Sequence, residues 1–330
     1  MRIQSGLIRS LLLFIPFAIA GAWSLQRHID SDQLTVQPVQ LRAQGGIGFN
    51  LRQATIPVQE IRSGGPPKDG IPSLSNPRMV SAAEATYLRA NDRVIGVVLG
   101  RETRAYPLAI LNYHEIINDR IGELPIAVTY CPLCDSAVVF DRRTSLGELE
   151  FGVSGLLYNS NVLMYDRSDT ESLWSQLKGE GVSGPGARMK LTVLPMELTT
   201  WAAWKNRNPK TTVLSPETGH RRNYQASPYT RYFNQPNLMF PVKPISNSLR
   251  LKESVLGVWD DANAIAIPIS AFGGKSVQIE KSLGSRKFTV AFDVEDQTIR
   301  VIKADVGIQW MNTFWFAWYA FHPETEIAGR

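Results

Sequence analysis

Residues 94–111 read VIGVVLGRETRAYPLAIL, and residues 255–272 read VLGVWDDANAIAIPISAF. They align without a gap at an offset of 161, with five identities in eighteen positions: Val94/Val255, Gly96/Gly257, Val97/Val258, Ala105/Ala266 and Pro107/Pro268. Apolar positions match as well, at Ile95/Leu256, Tyr106/Ile267 and Leu108/Ile269. Each stretch reads as strand, turn, strand and then a proline opening a short helix. Proline suits a first helical turn because the N–H it lacks would be unpaired there. Downstream, Ile126–Tyr130 resembles Phe288–Phe292, and Ala137–Phe140 reads as a further strand. Similarity of this kind predicts one β-rich unit used twice. The expected fold class is α+β: mainly antiparallel β-sheets in two similar halves, an internal duplication, with short helices.

Outward from these stretches, residues 78–215 form the expected first half and residues 251–330 the second, a degenerate repeat. Between them, residues 216–250 carry Pro228, Pro236, Pro241 and Pro244. Proline at that density opposes helix and central strand, so the segment reads as a surface connector. Residues 23–77 read as extended and irregular, with a loop from Ser63 to Gly70. At the N-terminus, Arg2 and Arg9 precede an apolar run from Leu11 to Ala20 that ends in Ala18-Ile19-Ala20. That order predicts a signal peptide, or an uncleaved anchor, over residues 1–22. The run falls short of the roughly twenty residues of a spanning helix. The expected location is therefore periplasmic or otherwise extracytoplasmic, with membrane contact only through this segment if it is retained.

The chain has 330 residues, 44% of them hydrophobic and 20% charged, a globular mixture that excludes wholesale disorder. Its net charge of +5 is small for the length, and the basic residues are scattered. No basic stripe interleaved with aromatics is present, so a nucleic-acid partner is not expected. Gly45-Gly46-Ile47-Gly48 matches neither a P-loop nor a dinucleotide fingerprint. The G-V-S-G runs at Gly152 and Gly181 lack the spacing of a serine nucleophile elbow.

Only two cysteines occur, Cys131 and Cys134, in Tyr130-Cys131-Pro132-Leu133-Cys134. Three readings of the pair compete. In the first, the turn is a metal knuckle that aims both thiolates at one ion, with backbone N–H groups satisfying the sulfurs. Asp135 stands where such knuckles often have glycine, and aspartate tolerates left-handed geometry better than most residues. Two thiolates are half a tetrahedral site. His114, on the short helix after Pro107 and on a face with Ile110, Leu111 and Ile117, is the expected third ligand. Glu115 is a candidate outer partner, and His322 and Met164 are further candidate ligands. Thiolate with imidazole favours a zinc or copper ion, which implies metal handling or assembly of a metal centre in an exported or membrane protein partner.

The second reading is an extracytoplasmic thiol–disulfide oxidoreductase. It needs a depressed thiol pKa. No helix follows Cys134, and the charge of Asp135 opposes ionisation. The third reading is a structural cysteine pair in a non-catalytic ligand-binding module, with a groove lined by aromatics such as Trp174, Trp201, Trp204 and the run from Trp310 to Phe321. Asp166 and Arg167 read as a structural ion pair or turn.

The segments Ala105-Tyr106-Pro107-Leu108, Tyr113-His114-Glu115, Asn118-Asp119, Tyr130 to Cys134, Ser154 to Asn161, Leu173-Trp174-Ser175-Gln176 and Thr200-Trp201 together resemble domain-of-unknown-function family 3179. Its members are exported or membrane-anchored proteins of bacteria and archaea. The resemblance spans roughly residues 70 to 325. It implies an exported context and brings no established activity, so the chemistry rests on the residues above.

Overall fold

The computed structural model describes residues 48–328. The segment read as signal peptide or anchor lies outside the described residues. No helix among those described is long and apolar enough to cross a membrane.

In chain order the main elements open with a hairpin, β1 (Arg93–Leu99) and β2 (Glu102–Pro107), followed by α1 (Leu108–His114). A meander follows: β3 (Ile116–Ile121), β4 (Leu124–Cys131) and β5 (Ser136–Asp141). Next come β6 (Phe151–Tyr158), β7 (Asn161–Asp166) and β8 (Leu173–Ser175), then β9 (Glu197–Thr200), α2 (Trp201–Arg207) and β10 (Thr212–Leu214). Residues 216–250 hold only the single turn α3 (Thr230–Phe233). The remainder is β11 (Ser254–Trp259), β12 (Ala264–Pro268), the meander β13 (Val277–Leu283), β14 (Arg286–Asp293) and β15 (Thr298–Ala304), then β16 (Gln309–Phe314), α4 (Trp315–Phe321) and β17 (Glu326–Ile327). The fold is α+β, with mainly antiparallel sheets and few, short helices.

Strands β3, β4, β5, β16, β11, β12 and β17 lie side by side in a nine-stranded sheet. All eight residues of β4 except Leu124 are buried, as are all six of β5. Their alternate side chains enter two different apolar clusters. Ile126, Val128, Tyr130, Ala137 and Val139 join one, while Ala127, Cys131, Val138 and Phe140 join the other. Strand periodicity of two makes that division, and a slip of one residue would exchange the two sets. Burying each large side chain contributes about 1.5–3 kcal/mol, so the register is strongly held. It pairs Tyr130 with Ala137 and Cys131 with Ser136, which leaves Pro132 to Asp135 as the connecting turn.

The two hairpins aligned in the sequence share their local geometry. Gly96 on β1 lies against Trp204 of α2, and Gly257 on β11 lies against Trp318 of α4. Trp204 Nε1 donates to Thr211 Oγ1 and Trp318 Nε1 to Thr325 Oγ1, each at 2.9 Å. In both places a later strand pairs in parallel with the hairpin, β10 with β2 and β17 with β12. Both meanders turn through a left-handed residue at matching positions, Asp135 (φ 48°) and Gln297 (φ 51°).

The elements depart from expectation in two places. The helix after Pro107 ends at His114, so Ile117 belongs to β3 rather than to the face of α1. Residues 216–250 are more than a surface connector, since Tyr232 is buried and bonds the cysteine turn.

A methyl group on Gly96 would sit 2.2 Å from Trp204 Cζ3, and one on Gly257 2.1 Å from Trp318 Cζ3. Each of Gly96→Ala and Gly257→Ala is expected to lower stability by about 2–3 kcal/mol through overpacking. Urea unfolding followed by tryptophan fluorescence reads the change.

Candidate functional site

Two tight turns meet at the thiols. One is the turn from Cys131 to Asp135, closed by the Cys134 N–H donating to the Cys131 carbonyl at 3.1 Å. The other joins β6 to β7 through Asn159 (φ 49°) and Ser160 (φ 63°). Two successive positive φ angles match the right-handed twist of a hairpin. Serine adopts the second of them at a cost of about 1–3 kcal/mol. That turn points the Ser160 carbonyl at both sulfurs, 3.2 Å from Cys134 and 3.8 Å from Cys131. Ser160 Oγ is buried with no hydrogen-bond partner.

Both cysteines are free and buried, yet their surroundings differ. Burial opposes ionisation of Cys131, and a set of donors outweighs it: the Cys134 thiol and the backbone N–H groups of Cys134, Val162 and Leu133. The Cys131 thiol is thereby held below its ordinary range. Cys134 is pushed well above that range by burial and by its anionic neighbour. Of the two thiols, Cys134 is the better placed to donate to the Ser160 carbonyl, at 3.2 Å against 3.8 Å.

The polar floor beneath the turns is closed on itself. Ser136 Oγ donates to Gln176 Oε1 at 2.6 Å, and Asn161 Nδ2 donates to the same oxygen at 2.8 Å. Gln176 Nε2 donates to Thr129 Oγ1 at 3.0 Å, and Asn161 Oδ1 accepts from the Leu177 N–H. Asp135 does not stand as a free charge beside the thiols. Arg93 holds both of its carboxylate oxygens, at 2.9 and 3.0 Å, and the Tyr130 hydroxyl donates to it at 2.8 Å. A forked guanidinium–carboxylate pair of this kind neutralises the carboxylate and fixes its orientation.

His114 does not meet the thiols. Its Nδ1 lies 2.7 Å from the Pro72 carbonyl and its Nε2 2.6 Å from the Tyr224 hydroxyl, so both nitrogens are committed. Burial lowers its pKa to about 4. The cause is the end of α1. Glu115 takes φ 56°, ψ −34° and reverses the chain into β3. It is Glu115, one residue on, whose buried carboxyl feels the Cys131 charge. Burial and that charge raise its pKa well above the usual carboxylate range. Among the described residues no group of three or more His, Cys, Asp or Glu side chains is arranged to hold a metal.

The family model for a protein family of unknown function, DUF3179, matches residues 68–309, well over half of the chain. The chain belongs to this family. No curated protein and no solved structure matches it. The segments that carry the DUF3179 resemblance sort by position. Tyr130 to Cys134, Ser154 to Asn161 and Leu173 to Gln176 contribute the turns and floor just described. Tyr106, Asn118 and Asp119 form a structural clamp instead. Asp119 accepts from Arg104 and from the Tyr106 hydroxyl, both at 2.7 Å, and Asn118 bonds the Phe151 backbone in both directions.

The other candidates have structural surroundings. Met164 is fully buried between its cross-strand neighbours Val153 and Trp174. His322 stacks on Trp318 with ring centres 3.9 Å apart, and burial lowers its pKa to about 4. It lines a different cavity, with Asp260 and Glu324. Asp166 and Arg167 do not pair with each other: Asp166 accepts from Trp174 Nε1, and Arg167 bonds Asp69. Of the aromatics, Trp174, Trp204, Trp315 and Trp318 are core residues. Arg93, Ser136 and Gln176 were missed as site residues. The one signal for Arg93 was the acid at Asp135, which needs a counter-charge once buried.

His114 and His322 are held neutral in the fold, below their ordinary pKa of 6.5. Their contribution to stability is complete above pH 6.5 and is lost as pH falls toward 4. Glu115 has the opposite sign, so the comparison is between variants. His114→Gln is expected to lose less stability than wild type between pH 6.5 and 4, measured as urea midpoints at each pH.

Proposed function

We propose that this protein is a thiol–disulfide exchange protein in which Cys131 attacks and Cys134 resolves. The supporting observation is the asymmetry of the surroundings: backbone N–H groups of Cys134, Val162 and Leu133 favour ionisation of the buried Cys131 sulfur, while burial opposes that of Cys134, which faces the Ser160 carbonyl at 3.2 Å. The activation supplied elsewhere by a helix N-terminus is supplied here by two facing turns. Asp135 is paired with Arg93, and its charge opposes ionisation of Cys134, the resolving sulfur, rather than of Cys131.

The exchange balances as follows. The Cys131 thiolate attacks one sulfur of a substrate disulfide. A bond forms between Cys131 and that sulfur, the substrate S–S bond breaks, and the departing thiolate takes a proton. We assign that proton to Glu115, whose carboxyl is held well above its ordinary range by burial and by the Cys131 charge. Cys134 then gives its proton to the Glu115 carboxylate and attacks Cys131 in the mixed disulfide; the bond from Cys131 to the substrate sulfur breaks, and the second substrate thiolate leaves and takes a proton from solvent. The protein dithiol is oxidised to a disulfide and the substrate disulfide is reduced to two thiols; the reverse sequence forms a substrate disulfide.

The order of Arg2, Arg9 and the apolar run to Ala20 supports a periplasmic or extracytoplasmic setting. There the partners would be exported or membrane proteins that carry disulfides. The shared geometry of the two hairpins supports a further proposal, that the second half is a degenerate copy. Where the first meander has Cys131 to Asp135, the second has Asp293 to Gln297 and no thiol.

A second reading keeps the soft metal and narrows it. The left-handed Asp135 and the N–H groups on Cys131 are also the geometry of a metal knuckle. With His114 committed elsewhere, two thiolates remain, which suits copper(I) better than four-coordinate zinc.

Incubation of the purified chain with oxidised glutathione, with products read by mass, tests the first reading. Wild type is expected to form an internal disulfide and release two equivalents of reduced glutathione. Cys134→Ser is expected to stop at the mixed disulfide, and Cys131→Ser to react at least about tenfold more slowly. A wild-type pair that stays reduced across the glutathione redox range contradicts exchange. Stoichiometric copper(I) retained against a chelator by that same inert protein would favour the second reading.

A further inference from the structure

We propose that residues 216–245 form a displaceable cover whose opening controls access to the Cys131–Cys134 pair. The proposal rests on reading that pair as the reactive group. The thiols are 1% and 0% exposed, and an attacking sulfur must be approached in line by its partner. Something has to move before exchange can occur. β16 holds the Cys134 carbonyl and the β6–β7 turn faces the sulfurs, while this segment lies on the turn at Leu133.

Its anchors fall on the two turns that build the site. The Tyr232 hydroxyl donates to the Leu133 carbonyl at 2.8 Å. Asn159 holds the Lys243 backbone from both sides, its Nδ2 on the carbonyl at 2.8 Å and its Oδ1 on the N–H at 2.9 Å. Burial disfavours ionisation of Tyr229 and Tyr232, and both lie close enough to the sulfurs for thiolate charge to add to it. Lys252 secures the same stretch, donating to the carbonyls of Tyr232 and Gln235 at 2.6 and 2.7 Å.

The rest of the segment is held by side chains, with Phe233, Leu238 and Phe240 packed on the core and the Tyr224 hydroxyl on His114. It pairs with no sheet. Every backbone–backbone hydrogen bond within residues 216–245 closes a local turn, so the segment is joined to the sheets by side chains alone. Its first part spans a cavity of about 350 Å³, with Tyr224 and Phe233 on one wall and Arg93, Asn112 and Tyr130 on the other. Asn112 Oδ1 is buried there without a partner. A segment with no backbone ties to the sheets and a cavity along its border can open without unfolding the domain. Its departure would uncover the edge of the turn at Leu133 while β4 and β5 remain paired.

Alkylation of the intact chain by iodoacetamide in native buffer, read by mass, tests the cover. Tyr232→Phe removes the bond to Leu133 and keeps the ring. Asn159→Gly removes both bonds to Lys243 and suits the left-handed turn. Each is expected to speed labelling about three- to tenfold, the factor set by one or two lost hydrogen bonds, at a rate nearly independent of added urea below the unfolding transition. Amides of residues 224–243 are expected to exchange with deuterium far faster than those of β4 and β5. Labelling that changes only in proportion to global unfolding, or amides in the segment as slow as those of the sheet, would overturn the proposal. Neither readout requires disulfide exchange, so a gated pair inert to glutathione would leave the cover standing and remove the redox reading.

Discussion

The convergence of three backbone N–H groups on the buried sulfur of Cys131 is the interaction from which the reading of this fold follows. An anionic sulfur in an apolar cluster is unfavourable unless donors replace the water it loses. Here they come from the main chain, where they need no side-chain ordering. Leu133 and Cys134 supply two through the tight turn after β4, and Val162 supplies the third from the facing hairpin. The site exists only while both turns hold their shape.

Several costly features of the chain serve that requirement. Asp135 and Ser160 occupy left-handed conformations without being glycine. Asp135 is buried and held by Arg93 and Tyr130. Glu115 takes an unusual backbone conformation to reverse the chain at the end of α1. The floor of Ser136, Asn161, Gln176 and Thr129 satisfies its own hydrogen bonds, which a buried polar cluster must do to stabilise rather than weaken a core. The sheet does the remaining positioning, because β4 and β5 are gripped by apolar clusters on both faces.

Much of the architecture was legible in the residues. The alignment of residues 94–111 with residues 255–272 located both hairpins, because a glycine beneath a tryptophan and a proline before a helix leave local marks. The cysteine turn, its strand flanks and the polar turn at Asn159 were legible for the same reason. The partners of the thiols were not. Helical spacing placed His114 on the sheet-facing side, but α1 stops at that residue, and its ring nitrogens are taken by Pro72 and Tyr224. Nothing in one sequence marks where a seven-residue helix ends. Arg93 lies far from Asp135 along the chain, and the aromatic segment over the turn reads as a proline-rich connector until its contacts are seen.

The thiolate absorbance of the reduced chain near 240 nm, followed across pH, tests the central claim most directly. The account predicts one sulfur ionising below the ordinary thiol value of 9.0 and the other remaining protonated well above it, with the early step absent in Cys131→Ser. Two sulfurs titrating together at or above the ordinary value would contradict it.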